Sequence, residues 1–381
     1  MPMKLRDLPT PHLVLDRRKL DRNLTRMRER ADALGVRLRP HGKTAKSAEV
    51  MTRALKDRRK AVTVSTLKEA RLFADAGFRD IVHAVGITPN RLHEAAGLIA
   101  EGVDLALTTD SVAMARIIAE TGRTLGVRYM VMIEVDVGEH RGGVTPEGEE
   151  LLDIARALHE NGVEVRGILA HAGHTYALSD AEDIARVAEV ERVGAVRAAE
   201  RIRAAGIPCP EVSVGSTPGA LFARALDGVT EMRPGVYMFM DLFQAGVGCC
   251  EIDDIALSVL ATVSNHRPAQ GTAHIDAGAL ALSKDRSTHL QTRDCGFGLV
   301  TDTYGALFQG LVVEAVHQEH GRLAGIGGVP FEALPIGSRV RVLPNHVCMT
   351  AAMYERYAVV DGTELGDEQP IEAFWERVNG W

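Results

Sequence analysis

The sequence predicts an α/β fold, a (β/α)8 TIM barrel joined to a C-terminal antiparallel β domain. Three observations carry this. From residue 18 to about 245 one unit recurs: a β-branched run, a Gly or polar turn, then about ten to fifteen residues of amphipathic helical pattern. The helical stretches, such as LLDIARALHE and RVGAVRAAERIRAAG, place Ala and Leu at three- and four-residue spacing, with Gly near several C-terminal ends. After residue 250 the pattern changes to alternating runs separated by Gly, Pro and Asn.

Eight runs read as barrel strands: Val36 to Pro40, Ala61 to Ser65, Asp80 to Val85, Asp104 to Leu107, Tyr129 to Val135, Gly167 to His171, Glu211 to Val214 and Glu231 to Met238. Eight alternating units favour a closed parallel barrel over an open doubly wound sheet. The later runs ALSVLATVSNH, TAHIDAGALAL, RLAGIGG and SRVRVLPNHVCM read as the β domain, and the opening HLVLD is expected to add a strand to it. The division is thus a barrel over 18–248, with 1–17 and 249–381 forming the second domain.

With 381 residues, 46% of them hydrophobic, the chain can bury one large core and a satellite. The net charge of −7 is spread along the sequence without a basic block, which argues against nucleic acid or an anionic membrane as partner. No apolar run approaches the roughly 18 to 20 residues of a membrane span, and the start MPMKLRDLPTPHLVLD lacks a signal-peptide core. Cys209, Cys249, Cys250, Cys295 and Cys348 show no framework spacing. A cytoplasmic protein without disulfides is expected.

Barrel chemistry gathers at the carboxyl ends of the strands. There the sequence puts His41, Lys43 and Thr44; Thr66; Asp110; Asp136, His140 and Arg141; His171, His174 and Tyr176; Gly215, Ser216 and Thr217; then Arg233, Gly235 and Tyr237. Lys43 follows RLRPHG and is read as buried beside cations, which would lower its pKa and make it a nucleophile toward an aldehyde. A surface loop lysine is the competing reading. GKT is not a phosphate loop, because the motif needs Gly where Arg37 stands.

VGSTPGAL supplies a tight turn, two hydroxyls and a following helix start, and RPGVYMF lies at the eighth run; the two together mark a phosphate-holding corner. His346 and Cys348, two apart in LPNHVCMT, would share one face of a strand and favour zinc. A packed His-x-Cys pair without metal is the alternative. Arg286 in SKDR is a candidate partner for a second substrate carboxylate or a surface ion pair, and Cys249 and Cys250 read as packing residues.

RPHGKTAKS after TPHLVLD, with VSTLKEA, IEVDVGEHRGGV, HAGHTY, SVGSTP, RPGVYMFMD, PNHVC and the terminal WERVNGW, resembles the D-serine dehydratase and D-threonine aldolase family over nearly the whole chain. The resemblance is closest to the branch of D-serine and D-threo-3-hydroxyaspartate dehydratases. It implies an alanine racemase-like barrel, pyridoxal 5′-phosphate (PLP) as cofactor, a divalent metal (zinc, with Mn2+, Co2+ or Ni2+ as alternatives) and a homodimer. It further implies that Lys43 is the Schiff-base lysine and that Gly215 to Thr217 and Gly235, Val236 and Tyr237 hold the phosphate. Arg141 would face the ring's phenolic oxygen, His41, His171 and Tyr176 would line the pocket, and His346 and Cys348 would be the metal pair.

The implied reaction is loss of water from a D-3-hydroxy amino acid, such as D-serine or D-threo-3-hydroxyaspartate, to give a 2-oxo acid and ammonia. Retro-aldol cleavage to glycine and an aldehyde is the alternative. The aldolases are similar in the PLP segments but typically carry His-x-Asp at the metal pair, where this sequence has His-x-Cys. Racemisation and a catalytically silent PLP-binding paralogue are further readings, the last disfavoured because both Lys43 and the metal pair are present.

Overall fold

The computed structural model describes residues 3–56, 58–363 and 366–381. By contacts the chain divides into two units, one of residues 26–235 and one of residues 1–25 with 236–380.

The first unit is an eight-stranded parallel sheet. Its strands, in chain order, are Arg37–Leu38, Ala61–Val64, Asp80–Gly86, Asp104–Thr109, Met130–Val135, Glu164–Ala170, Glu211–Val214 and Glu231–Met232. Each pairs in parallel with its sequence neighbour from the second strand to the eighth, and the eighth pairs back on the first. A parallel bridge between His41 and Thr63 joins the first strand's end to the second, closing the ring. All eight sequence runs are strands. The eighth is shorter than expected, because Pro234 has no amide hydrogen to continue the ladder and Val236–Met238 turns into a 3-10 helix.

Successive strand residues face opposite ways, so Val82, Ala106, Met132 and Leu169 meet as one buried layer. The outer helices bury one stripe each; in Glu149–His159 these are Leu151, Ile154, Ala155 and Leu158. Five strands begin with an acid, at Asp80, Asp104, Glu164, Glu211 and Glu231. Arg39, 0% exposed, bridges Glu231 at 2.8 Å and Asp80 at 2.7 Å. Arg166 reaches Asp80, Asp104 and Glu211 at 3.1 to 3.2 Å. A charged lattice therefore fills the amino-terminal end of the barrel.

The second unit is a nine-stranded sheet. His12–Asp16 lies inside it, antiparallel to Leu257–Arg267 and parallel to Arg356–Val360. All other pairs are antiparallel. Two runs read as continuous strands are interrupted. The TAHIDAGALAL run is a strand over Thr272–Ile275 and a short helix over Ala279–Leu282. SRVRVLPNHVCM is a strand over Arg339–Pro344 and a helix over Val347–Ala351. No helix among the described residues is long and apolar enough to cross a membrane.

Candidate active site and metal pair

The turn after the first barrel strand carries Lys43. The Gly42 amide donates to the Thr63 carbonyl at 2.7 Å and the Lys46 amide to Gly42 at 2.7 Å, so the lysine sits in a closed loop. A Cβ on Gly42 would lie 2.5 Å from the Phe73 ring, which reserves that position for glycine. Buried Glu69 accepts the Ser65 amide at 2.8 Å and pairs with Lys46 at 3.2 Å, tying the loop to the second strand's end. The expectation of a buried Lys43 is corrected, since its side chain is exposed in the chain. The short first strand ends two residues before His41, and the loop lifts Lys43 clear of the packed interior.

Around it stand three imidazoles. Burial, then the charges of Lys43 and Arg233, hold His41 well below its ordinary pKa, consistent with its Nδ1 accepting the Lys43 amide at 3.4 Å. Burial likewise lowers His171 to about 3, against a raising bond to Gly215 and with Arg141, Lys43 and Arg233 adding to the fall. Buried His83, midway along the third strand, is pushed down to about 4 by desolvation. The mouth is thus lined by neutral rings among fixed cations. His171 and Tyr176 face each other with ring centroids 6.5 Å apart.

The turn after the seventh strand is built by close backbone approach. Gly215 has φ +141°, and a Cβ there would meet the Arg233 amide at 2.7 Å; one on Gly235 would crowd His41 and Thr44 at 3.0 to 3.2 Å. The Ser216 hydroxyl caps the Thr217–Phe222 helix by accepting the Gly219 amide at 3.0 Å. Thr175 spends its hydroxyl proton on the Ala172 carbonyl at 2.8 Å, so in the 3.1 Å Thr175–Ser216 contact Ser216 is the donor. The hydroxyl of Ser216 serves the turn, and an anion here would be met by main-chain amides. Val236 and Tyr237 follow in the buried 3-10 turn of the second unit.

Arg141 is held by long contacts to Glu134 and Glu139, each 3.5 Å, on a loop pinned by carboxylates. Asp110 accepts the Gly143 amide at 2.8 Å, and Asp136 accepts those of Gly138 and His140 at 2.9 and 3.0 Å. Asp110, Asp136 and the helix cap Thr66 are therefore scaffolding. Sequence reading missed two members of the barrel site, His83 and Glu191, and placed Arg233 at the strand end without seeing that it is buried. Arg233 donates to Ser213 and to the Ala170 carbonyl, both at 2.6 Å. For His83 the signal was a lone polar residue inside the IVHAV run; Glu191 sits mid-helix and gave none.

In the second unit, His346 is the residue before the Val347–Ala351 helix and Cys348 lies in its first turn. The expected one-face strand geometry is thus corrected; Pro344 ends the strand, and a helical turn brings the side chains together instead. His346 Nδ1 meets Asp285 Oδ2 at 2.5 Å. Burial works against an imidazolium at His346, but bonds to Asp285 and Cys348 outweigh it and hold the group up at about 11. Asp241, buried, accepts the Val347 amide at 2.9 Å and the Gln244 amide at 2.8 Å, fixing the turn. Asn345 donates to the carbonyls of Asp285 and Gly296 at 3.1 and 2.9 Å.

An imidazole backed by a carboxylate and set beside a thiol is a donor set suited to a soft divalent metal, whose binding displaces the shared proton. Among the described residues no group of three or more His, Cys, Asp and Glu is arranged to hold a metal, and the candidate ligands are the His346–Cys348 pair. The barrel mouth fits a phosphorylated aldehyde: glycine-shaped approaches and amides for the anion, neutral aromatic walls, and an accessible primary amine. Arg286 pairs with Asp294 at 2.5 Å. All five cysteines are free, and Cys249 and Cys250 are buried.

Comparison with known proteins agrees with this geometry. The alanine racemase N-terminal domain profile matches residues 15–242, and a serine dehydratase domain profile matches residues 256–360. The chain is 46% identical to D-threo-3-hydroxyaspartate dehydratase of Delftia sp. over 98% of both sequences. It is 31% identical to D-serine dehydratase of Dictyostelium discoideum over 97% of both. A solved mutant of D-threo-3-hydroxyaspartate dehydratase in the metal-free form superposes with a TM-score of 0.95 at 46% identity, covering 100% of each chain. Fold, barrel mouth and sequence lead to one conclusion: the chain belongs to the family of alanine racemase-like enzymes that includes the D-serine and D-threo-3-hydroxyaspartate dehydratases.

Proposed function

We propose that this chain is a PLP- and metal-dependent lyase that dehydrates a D-3-hydroxy amino acid, of the D-serine or D-threo-3-hydroxyaspartate kind, to a 2-oxo acid and ammonia. The observation that carries the dehydratase over the aldolase is Cys348 beside His346, with Asp285 behind the imidazole.

Lys43 would bind the cofactor aldehyde, and Gly215, Ser216 and Thr217, with Gly235, Val236 and Tyr237, its phosphate. His346 and Cys348 would hold the metal, zinc by donor softness. When bound, PLP supplies a sink for negative charge at the α carbon and the metal supplies Lewis acidity for a departing hydroxyl. Lys43 Nζ, released when the substrate amine takes its place, would then be a free amine placed to take the α proton. His41 and His171, their basicity lowered by burial and neighbouring cations, are too weakly basic to take that proton, so it stays on Nζ. His171 spends its own proton on the Gly215 carbonyl and offers only a lone pair at Nε2. Arg141, half exposed and loosely held by two glutamates, is free to orient toward an oxygen of the ring.

The test is a panel of D- and L-3-hydroxy amino acids with ammonia, 2-oxo acid, glycine and aldehyde measured together, with and without chelator. Ammonia and 2-oxo acid from a D substrate, lost on chelation, is the expected result; glycine with aldehyde alone would replace this reading by the aldolase. A homodimer belongs to the same proposal, and light scattering of the purified protein checks it.

A further inference from the structure

We infer that Glu191 is a positioning residue for the cofactor phosphate, acting through two main-chain amides. This rests on the reading that the Gly215 turn holds that phosphate. Glu191 lies in the middle of the Ala181–Ala204 helix, on the outer layer of the barrel, yet is only 2% exposed. Its Oε1 accepts the Ala172 amide at 3.0 Å and the Gly215 amide at 3.1 Å. These amides belong to the segments leaving the sixth and seventh strands, so one oxygen fastens two neighbouring corners of the mouth.

The clamp is continuous with the residues that line the site. Ala172 follows His171, whose ring donates to the Gly215 carbonyl at 2.6 Å. Gly215 is therefore held on both sides, its amide by Glu191 and its carbonyl by His171. Thr175 extends the same link through the Ala172 carbonyl to Ser216. At Gly215 the φ of +141° leaves the turn no side chain of its own to fix it. The role of a buried carboxylate here is to hold a glycine turn in the shape an anion needs, so that binding does not bear the ordering cost. Burial raises its pKa to about 7, with Arg233 opposing that rise and Glu139 adding to it, so the neutral form is accessible and its carbonyl oxygen still accepts both amides.

Removing the acceptor leaves two buried amides to find water, which only a moved turn allows. Leaving one such group unpaired corresponds to about tenfold in affinity. The test compares Glu191→Gln, which keeps an accepting oxygen, with Glu191→Ala, which does not. Dissociation constants for PLP and for pyridoxal, which lacks the phosphate, are measured on apo protein alongside the 15N-resolved His171 Nδ1–H resonance. Glu191→Ala is expected to weaken PLP about tenfold or more, leave pyridoxal nearly unchanged and lose the resonance; Glu191→Gln is expected to match wild type. Should Glu191→Ala not fold, Glu191→Asp, one methylene too short to reach both amides, takes its place with the same expected result. Wild-type PLP affinity in the Ala or Asp variant, or equal weakening of PLP and pyridoxal, would overturn the inference. A wild-type protein that does not prefer PLP to pyridoxal would instead overturn the phosphate reading beneath it.

Discussion

His171 Nδ1 lies 2.6 Å from the carbonyl oxygen of Gly215, so one imidazole proton is committed to the turn, while burial, working against the raising effect of that bond, keeps the ring neutral. Its folded pKa, about 3, stands below the ordinary value of 6.5, chiefly by burial. Above pH 6.5 both folded and unfolded states hold a neutral ring. Between about 6.5 and 3 the unfolded chain takes a proton that the folded one refuses, so stability is lost as pH falls, by at most about 1.4 kcal/mol per pH unit. His83 acts with the same sign down to about 4. Denaturant unfolding from pH 7 to 4 should therefore slope more shallowly in His171→Gln than in wild type, and parallel slopes would contradict this account.

The carboxylate of Asp285 fixes the tautomer and direction of the His346 ring. Partners of this sort typically contribute about 10- to 100-fold in metal affinity. Asp285→Asn should weaken zinc by that order in a competition titration against a chromogenic chelator, while PLP content stays at the wild-type level. Unchanged zinc affinity would show that the contact merely packs the turn.

Lys43 has a sharper expectation. Hydride reduction of the holoenzyme should leave one covalent adduct, which peptide mass spectrometry places on the segment RPHGKTAKS, and Lys43→Ala should lose both the adduct and at least about 10²-fold in turnover. An adduct on Lys46 instead would transfer the role three residues along.

What could be read before folding divides along a physical line. The eight strands were legible because buried parallel strands are local runs of β-branched residues, and Lys43, His171 and Gly215 were legible because they stand where such runs stop. Glu191 was not, since a glutamate in an amphipathic helix looks like surface until the helix is rotated onto the sheet. The His346–Cys348 pairing was anticipated with the wrong local geometry: period-two spacing suggested a strand, whereas Pro344 and the Asp241 clamp on the Val347 amide start a helix. Lys43 was expected inside, but a two-residue strand and a closed loop leave it accessible. The charged end of the barrel was visible only as acids opening five separate strands; the convergence of four of them on Arg39 and Arg166 is a property of closure.

That convergence predicts where the barrel is most fragile. Arg39 and Glu231 are both fully buried, and Arg39 also holds Asp80. Desolvation works against the Glu231 carboxylate, but Arg39, Arg37 and the Ser213 hydroxyl overcome it and hold the group below the usual carboxylate range. Removing one partner strands the other without water, which costs about 3–5 kcal/mol, whereas replacing both with apolar groups of similar volume is often neutral. In a unit of some 200 residues this translates to a fall in Tm of roughly 10 °C. Calorimetry should show that fall in Glu231→Ala and in Arg39→Ala, and recovery of most of it in the Arg39→Met, Glu231→Leu double variant. A double variant as unstable as the two single losses added together would mean that Asp80 and Glu211 depend on Arg39 too strongly for the pair to be treated alone.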